Sequence, residues 1–189
     1  MIPKFPNFKK LELSDKEAVE KITSKYPPYS DFNFVSMWSW DTKGEIQLSQ
    51  LNGNLVTRFT DYITSEPFYS FLGDNKVNET VDALFELSKK EGLRPMLKLL
   101  PEDSVRRLNE NEFEIIEDKD NFDYIYSTEE LSSYNDSKFS KKRNLASQFI
   151  KKYPDIELIN IDIFDKKIQE QIIELAEIWS NNKLQEKKE

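Results

Sequence analysis

"EIQLSQLNGNLVTRF", residues 45–59, decides the reading of this chain. Two apolar-patterned runs, 45–51 and 55–59, flank Asn52-Gly53, the pair that most readily supplies the positive φ angles of a tight type I′ turn. They predict a β-hairpin. Outward from it, "PFYSFLG" (67–73) predicts a third strand, and "KVNETVDALFELSKKEG" (76–92) a helix. Val77, Val81, Leu84 and Leu87, with Phe85 one turn round, fall on one face of that helix, and Gly92 suits the position just past its end.

The flanks extend the pattern. "FKKLEL" (8–13) reads as a strand. Ser14 and Glu17 read as a capping box opening a helix to about Lys25, which Pro27 and Pro28 stop. In "YSDFNFVSMWSW" (29–40), Phe34, Met37 and Trp38 share a helical face with Val35 beside them. Downstream, 94–100 reads as a strand and 101–109 as a short helix with Pro101 at its start. Segments 112–118 and 122–127 read as strands joined by an acidic turn, followed by a capped helical turn in "STEELSSY". The order β-α-α-β-β-β-α-β-α-β-β predicts an α/β (α+β) domain with a mixed sheet, ending near Tyr134. Beyond a basic helix at 138–153, Pro154 breaks the chain. Then 155–161 reads as a strand, 166–181 as a helix with Ile168, Ile172, Leu175 and Trp179 spaced for burial, and "NNKLQEKKE" as a frayed tail. One strand and one helix cannot close a second core.

Composition narrows the chemistry. The 189 residues hold 13 Phe, 8 Tyr and 3 Trp, enough aromatic surface for a core. There is no Cys and no His, which excludes disulfides, thiolate or imidazole metal sites, histidine bases and Ser-His-Asp triads. No run has the length and apolarity of a membrane span, and "MIPKFPNFKK" has no apolar signal core. The expectation is a cytoplasmic protein with no metal of its own. The four glycines form neither GxGxxG nor GxxxxGK[ST], so no nucleotide loop is visible.

Charge is distributed unevenly. The chain carries −8 overall, yet Lys138, Lys141, Lys142, Arg143, Lys151 and Lys152 lie within 138–152 with no acid among them, so the remainder sums to −14. On a helical wheel at about 100° per residue, Phe139, Leu145, Ala146, Phe149, Ile150 and Tyr153 share one sector. Lys142 falls inside that sector and Arg143 on its edge. Cations early in a helix oppose the macrodipole, and free N–H groups there attract anions. Two readings follow: a solvated basic face whose lysines snorkel, or an anion-binding or domain-bridging helix. The candidate anion or donor ligands are Lys138, Lys141, Lys142, Arg143 and Asn144, with Tyr124 and Tyr126 as weaker candidates. Glu117, Asp118, Asp120 and Asp123 form an acidic turn better read as solvated than as a cation site. Tyr29, Trp38 and Trp40 are better read as core than as a stacking platform.

Three segments carry a family resemblance: "FPNFKKLELSDKEAVEKI" (5–22), "YSDFNFVSMWSW" (29–40) and "FDYIYSTEELSSYNDSKFSKKRNLASQF" (122–149). Together they resemble the DUF2156 family, related to the C-terminal domain of phosphatidylglycerol lysyltransferase in the GNAT-like acyltransferase superfamily. The most specific matches are Asp123, Tyr124, Tyr126, Leu131, Lys138, Phe139, Lys142, Arg143, Asn144 and Phe149. The glycine usual before the basic segment is replaced by Asn135-Asp136-Ser137. The resemblance implies a GNAT-like domain over 1–134, a basic linking helix over 135–154, and the incomplete opening of a second GNAT-like domain over 155–189. It implies a soluble aminoacyl- or acyltransferase-like protein of which this chain is a truncated, inactive portion lacking its second GNAT-like half. Aminoacyl-tRNA, through its 3′ end, or acyl-CoA would be the donor, although no pyrophosphate loop of the acyl-CoA kind is present. The alternative is a non-enzymatic module that docks an anionic small molecule or partner through the basic helix.

Overall fold

The computed structural model describes residues 1–41 and 43–186. The chain divides into two compact units, Met1–Ile125 and Tyr126–Glu189. The first is a four-stranded antiparallel sheet in the order β1 (Lys9–Lys10), β2 (Gln47–Leu51), β3 (Asn54–Thr60), β4 (Pro67–Leu72). It carries helices α1 (Lys16–Thr23), α2 (Phe34–Trp40), α3 (Val77–Lys90) and α4 (Glu102–Val105). The second unit holds α5 (Thr128–Ser133), α6 (Ser140–Lys152) and α7 (Lys166–Glu186). The protein thus mixes α and β structure.

The hairpin forms where the sequence places it. Leu51 pairs with Asn54, and Asn52 and Gly53 take φ of 55° and 88°, the left-handed pair of a two-residue turn. Strand alternation sends Leu48, Leu55, Phe59 and Leu72 to one face, where they bury Val19, Ile22, Phe32, Phe34 and Met37 of the α1–α2 side. Val56, Tyr69 and Phe71 face the other way, onto Val77, Val81 and Leu84 of α3. Each face of the sheet therefore has its own apolar layer. Helix α3 ends as expected: Gly92 sits at φ 72°, its amide donates to Lys89 O at 3.1 Å, and Leu93 N–H donates to Ser88 O at 2.8 Å. These two bonds are the Schellman closure.

Several expectations are corrected. The first strand is only Lys9–Lys10, because a 3-10 turn begins at Leu13. Its closure uses Asp15, not the Ser14–Glu17 box. The buried Asp15 carboxylate accepts Glu12 N–H at 3.1 Å and pairs with Lys9 Nζ at 2.8 Å, tying β1 to the start of α1. Segment 94–100 contributes one parallel bridge, Tyr69 to Leu97, and no strand. Pro95 offers no N–H, and Leu99 turns to φ 55°, where Ser70 Oγ takes its carbonyl at 3.1 Å. Segments 112–118, 122–127 and 155–161 form no strands among the described residues. Alternation gives them the capacity to pair, but a strand also needs a neighbour's backbone. The amides of Glu112 and Phe113 instead close a turn onto Asn109 O, and Lys119–Asn121 is a 3-10 turn.

Trp38 and Trp40 do not enter the core. They are 49% and 83% exposed, and only Phe34 and Met37 of α2 are buried. Helix α7 continues through the expected tail to Glu186, so that tail is helical there, and residues 187–189 lie outside the described residues. Ile172, Leu175 and Trp179, spaced for burial, are exposed.

Candidate functional site

The basic segment lies wholly in the second unit and begins with a well-built corner between α5 and α6. Ser127 Oγ accepts Glu130 N–H at 3.3 Å and caps α5, as its sequence predicts. Helix α5 stops at Tyr134, in left-handed geometry at φ 52°, with its amide on Glu130 O at 2.9 Å. The Tyr134 ring stacks on Phe139 with centroids 4.7 Å apart and planes at 11°. Phe139, 7% exposed, is the one buried apolar side chain among the described residues of this unit. A 3-10 turn, Ser137–Phe139, then leads into α6.

The cations of the segment fall into distinct environments. Lys138 Nζ pairs with Glu130 Oε2 at 2.7 Å and lies over the Phe139 ring at 5.2 Å. That carboxylate, through its hydrogen bond, raises the Lys138 pKa. Arg143 uses Nη1 to donate to Tyr134 O and, at 2.8 Å, to Asp136 O. It fastens the start of α6 to the end of α5, and its Nε and Nη2 donate to no protein acceptor among the described residues. Lys141, Lys142 and Asn144 are exposed, and neither lysine has a carboxylate within ion-pair distance among the described residues. Lys151 is likewise unpaired there, while Lys152 lies over the Tyr153 ring at 5.3 Å.

Two details bear on the sequence reading. The helix start was expected to offer free N–H groups to a ligand. Asp136 Oδ1 accepts Lys138 N–H at 3.0 Å in the 3-10 turn before α6, while α6 itself starts at Ser140 with no side-chain cap. The Lys138 N–H, then Ser137, holds the Asp136 carboxyl below the usual carboxylate range. Beyond the buried Phe139, the wheel sector containing Lys142 is exposed: Leu145, Phe149, Ile150 and Tyr153 all remain in solvent. Lys142 therefore does not intrude into a buried face. Tyr124 and Tyr126 are exposed as well, Tyr124 in the first unit and Tyr126 in the second.

Other candidates resolve into structural roles. Tyr29 Oη donates to Asp103 at 3.0 Å and Tyr26 Oη to Asp74 at 3.1 Å, with Arg107 on Asp74 at 2.9 Å. Burial is the main cause that raises both phenols. Asp123 accepts Ser30 N–H at 3.1 Å, and Asp118 accepts Asn121 Nδ2–H at 2.7 Å. No cluster of three potential metal ligands occurs among the described residues.

The family model of phosphatidylglycerol lysyltransferase, C-terminal, matches residues 23–189, a span that includes every residue of the α5–α6 corner. The chain belongs to this family. Among solved structures, a conserved protein of unknown function from Bacteroides thetaiotaomicron is similar at TM-score 0.71 and 26% identity. The match covers 98% of this chain and 62% of that one, so the present chain spans less than two thirds of it. No curated protein matches the chain. Membership in the lysyltransferase C-terminal family agrees with the resemblance seen in residues 122–149. No described helix is long and apolar enough to cross a membrane.

What sequence reasoning missed is the internal use of charge. Lys138 and Arg143 look like ligand groups in a run of cations, yet each has a partner before the helix's first turns are complete. Glu130 and the carbonyls of Tyr134 and Asp136 are visible only once α5 turns back at Tyr134.

Proposed function

We propose that this chain serves aminoacyl or acyl transfer, on a GNAT-like scaffold, with Lys141 and Lys142 holding the anionic part of the donor. Membership in the lysyltransferase C-terminal family is the observation that carries the reading. In such a transfer a hydroxyl oxygen bonds to the acyl carbon, the ester C–O bond breaks, and the proton passes to the departing oxygen. Orientation of a bound donor contributes much of the rate in such a reaction, so the lack of His and Cys does not count against it.

The distribution of partners on α6 separates two tasks. Lys138 and the Nη1 edge of Arg143 are committed to the corner. Lys141 and Lys142, together with the remaining edge of Arg143, are the cations left for phosphate at the start of α6, with Lys151, unpaired among the described residues, at its other end. The acidic remainder of the chain limits general attraction to polyanions, so selectivity would rest on this local surface.

The test is a fluorescence-anisotropy titration of the chain with a labelled tRNA acceptor-stem hairpin, with acyl-CoA as competitor. Replacing Lys141 and Lys142 by Gln together is expected to weaken RNA binding about tenfold and to flatten its salt dependence by roughly one to two units of log–log slope. Affinity and slope equal to wild type would remove these lysines from the donor site. Displacement by acyl-CoA with weak RNA binding would assign the donor to the thioester class.

A further inference from the structure

The first unit contains a polar row on an otherwise apolar sheet face. Gln47, Arg58 and Tyr69 are direct cross-strand partners on β2, β3 and β4. By strand alternation they share a face with Val56 and Phe71, which α3 covers. The Schellman closure ends α3 and sets Glu91 and Leu93 beside this row. The result is an open surface groove of about 540 Å³. Its polar groups are Gln47, Arg58, Tyr69 and Glu91, and its apolar walls are Phe8, Pro67 and Leu93.

The charges in this groove are paired but loosely. Arg58 Nε and Glu91 Oε2 stand 3.7 Å apart, too far for a hydrogen bond, and both side chains are partly exposed. A guanidinium fork is shaped to receive a carboxylate. Glu91 caps the C-terminal end of α3, where helix carbonyls add negative potential and favour a cation. Burial, and then the neighbouring Glu91 carboxylate, push the Tyr69 phenol up to about 12, so it remains a hydrogen-bond donor at neutral pH. Gln47 can donate or accept. An anion receptor and a cation receptor thus stand side by side, next to an apolar wall.

A ligand that satisfies both must carry a carboxylate and an ammonium on adjoining atoms. We propose that this groove binds a free α-amino acid with an apolar side chain: its carboxylate on Arg58, its ammonium on Glu91, its side chain against Phe8, Pro67 and Leu93. A plain anion would leave Glu91 facing like charge, and a plain amine would leave Arg58 in the same position. The site belongs to the sheet and α3 and is independent of the α6 lysines.

The test is calorimetric titration of the intact chain with L-leucine and with its two half-molecules, 4-methylpentanoate, which lacks the amine, and 3-methylbutylamine, which lacks the carboxylate. Leucine is expected to saturate one site, with each half-molecule weaker by about tenfold or more. Arg58→Gln and Glu91→Gln are each expected to weaken leucine by about tenfold. Arg58→Gln removes the like charge facing the amine and should strengthen its binding, and Glu91→Gln should do the same for the carboxylate. No saturable heat with leucine up to about 10 mM overturns the proposal, as does either half-molecule binding as well as leucine. Should a variant fail to fold, the comparison of the three ligands on the unaltered protein decides alone.

Discussion

Asp61 shows how much a single side chain does that no local pattern announces. It closes the β3–β4 turn by accepting the amides of Ile63 and Thr64, each at 3.0 Å, and it pairs with Lys98 Nζ at 2.9 Å. Lys98 in turn lies over the Phe68 ring at 5.3 Å. The Thr64 amide first, then Lys98, then Ile63 hold the Asp61 carboxyl far below the usual carboxylate range. A carboxyl whose folded pKa is depressed adds stability that is complete above its unfolded pKa, about 4, and is lost as pH falls below it. Urea unfolding between pH 6 and pH 2 is therefore expected to show a steeper acid loss for the native chain than for Asp61→Asn, with the variant weaker by about 1 kcal/mol at neutral pH. Parallel pH profiles would show that the carboxylate is not responsible. The turn at 61–66 lies between two legible strands, but the pairing of Asp61 with Lys98 spans too much sequence to be read from either neighbourhood. The same holds for Arg58 and Glu91, whose approach depends on where α3 stops.

At the scale of elements, legibility followed self-sufficiency. The Asn52-Gly53 hairpin and α3 were readable because the turn and the helical period are satisfied within each segment. Strands expected at 94–100, 112–118, 122–127 and 155–161 depend on a neighbour, which their own residues cannot specify. Helix α6 is an intermediate case: its extent was readable, while the use of its cations was not. Arg143 tests the difference. If Nη1 fastens α6 to α5 through the carbonyls of Tyr134 and Asp136, then charge alone cannot replace it. Arg143→Lys keeps the charge but ends one bond short of the position that Nη1 holds between the two carbonyls. It is expected to weaken the Tyr134–Phe139 stack, seen as a loss of ring-current shifts and of nuclear Overhauser contacts between the two rings. Affinity for the acceptor-stem hairpin should fall with it by roughly threefold to tenfold, although net charge is unchanged. A lysine variant that keeps both the stack and the affinity would mean that Arg143 acts only as one more cation.

For the whole molecule, the decisive contrast is in what each unit buries. Met1–Ile125 holds two apolar layers, one on each face of a four-stranded sheet. In Tyr126–Glu189, Phe139 is the one buried apolar residue among those described, while Leu145, Phe149, Ile172, Leu175 and Trp179 stay exposed. Helices without a buried face draw their stability mainly from propagation along the chain, which is marginal in water. Burial on the scale of the first unit supports cooperative unfolding instead. Native-state hydrogen exchange should therefore divide the chain. Amides in β2, β3, β4 and α3 are expected to exchange only through global opening, and those in α6 and α7 through local opening that costs about 1 kcal/mol. Protection in α7 equal to that in α3 would show that the exposed residues of α7 are covered in solution. Addition of the acceptor-stem hairpin gives the same measurement a functional arm. A ligand that contacts Lys141 and Lys142 lowers the free energy of the folded helix, so amides of α6 should slow as RNA is added while those of α3 do not. Slowing confined to the first unit would instead locate RNA binding away from the basic segment.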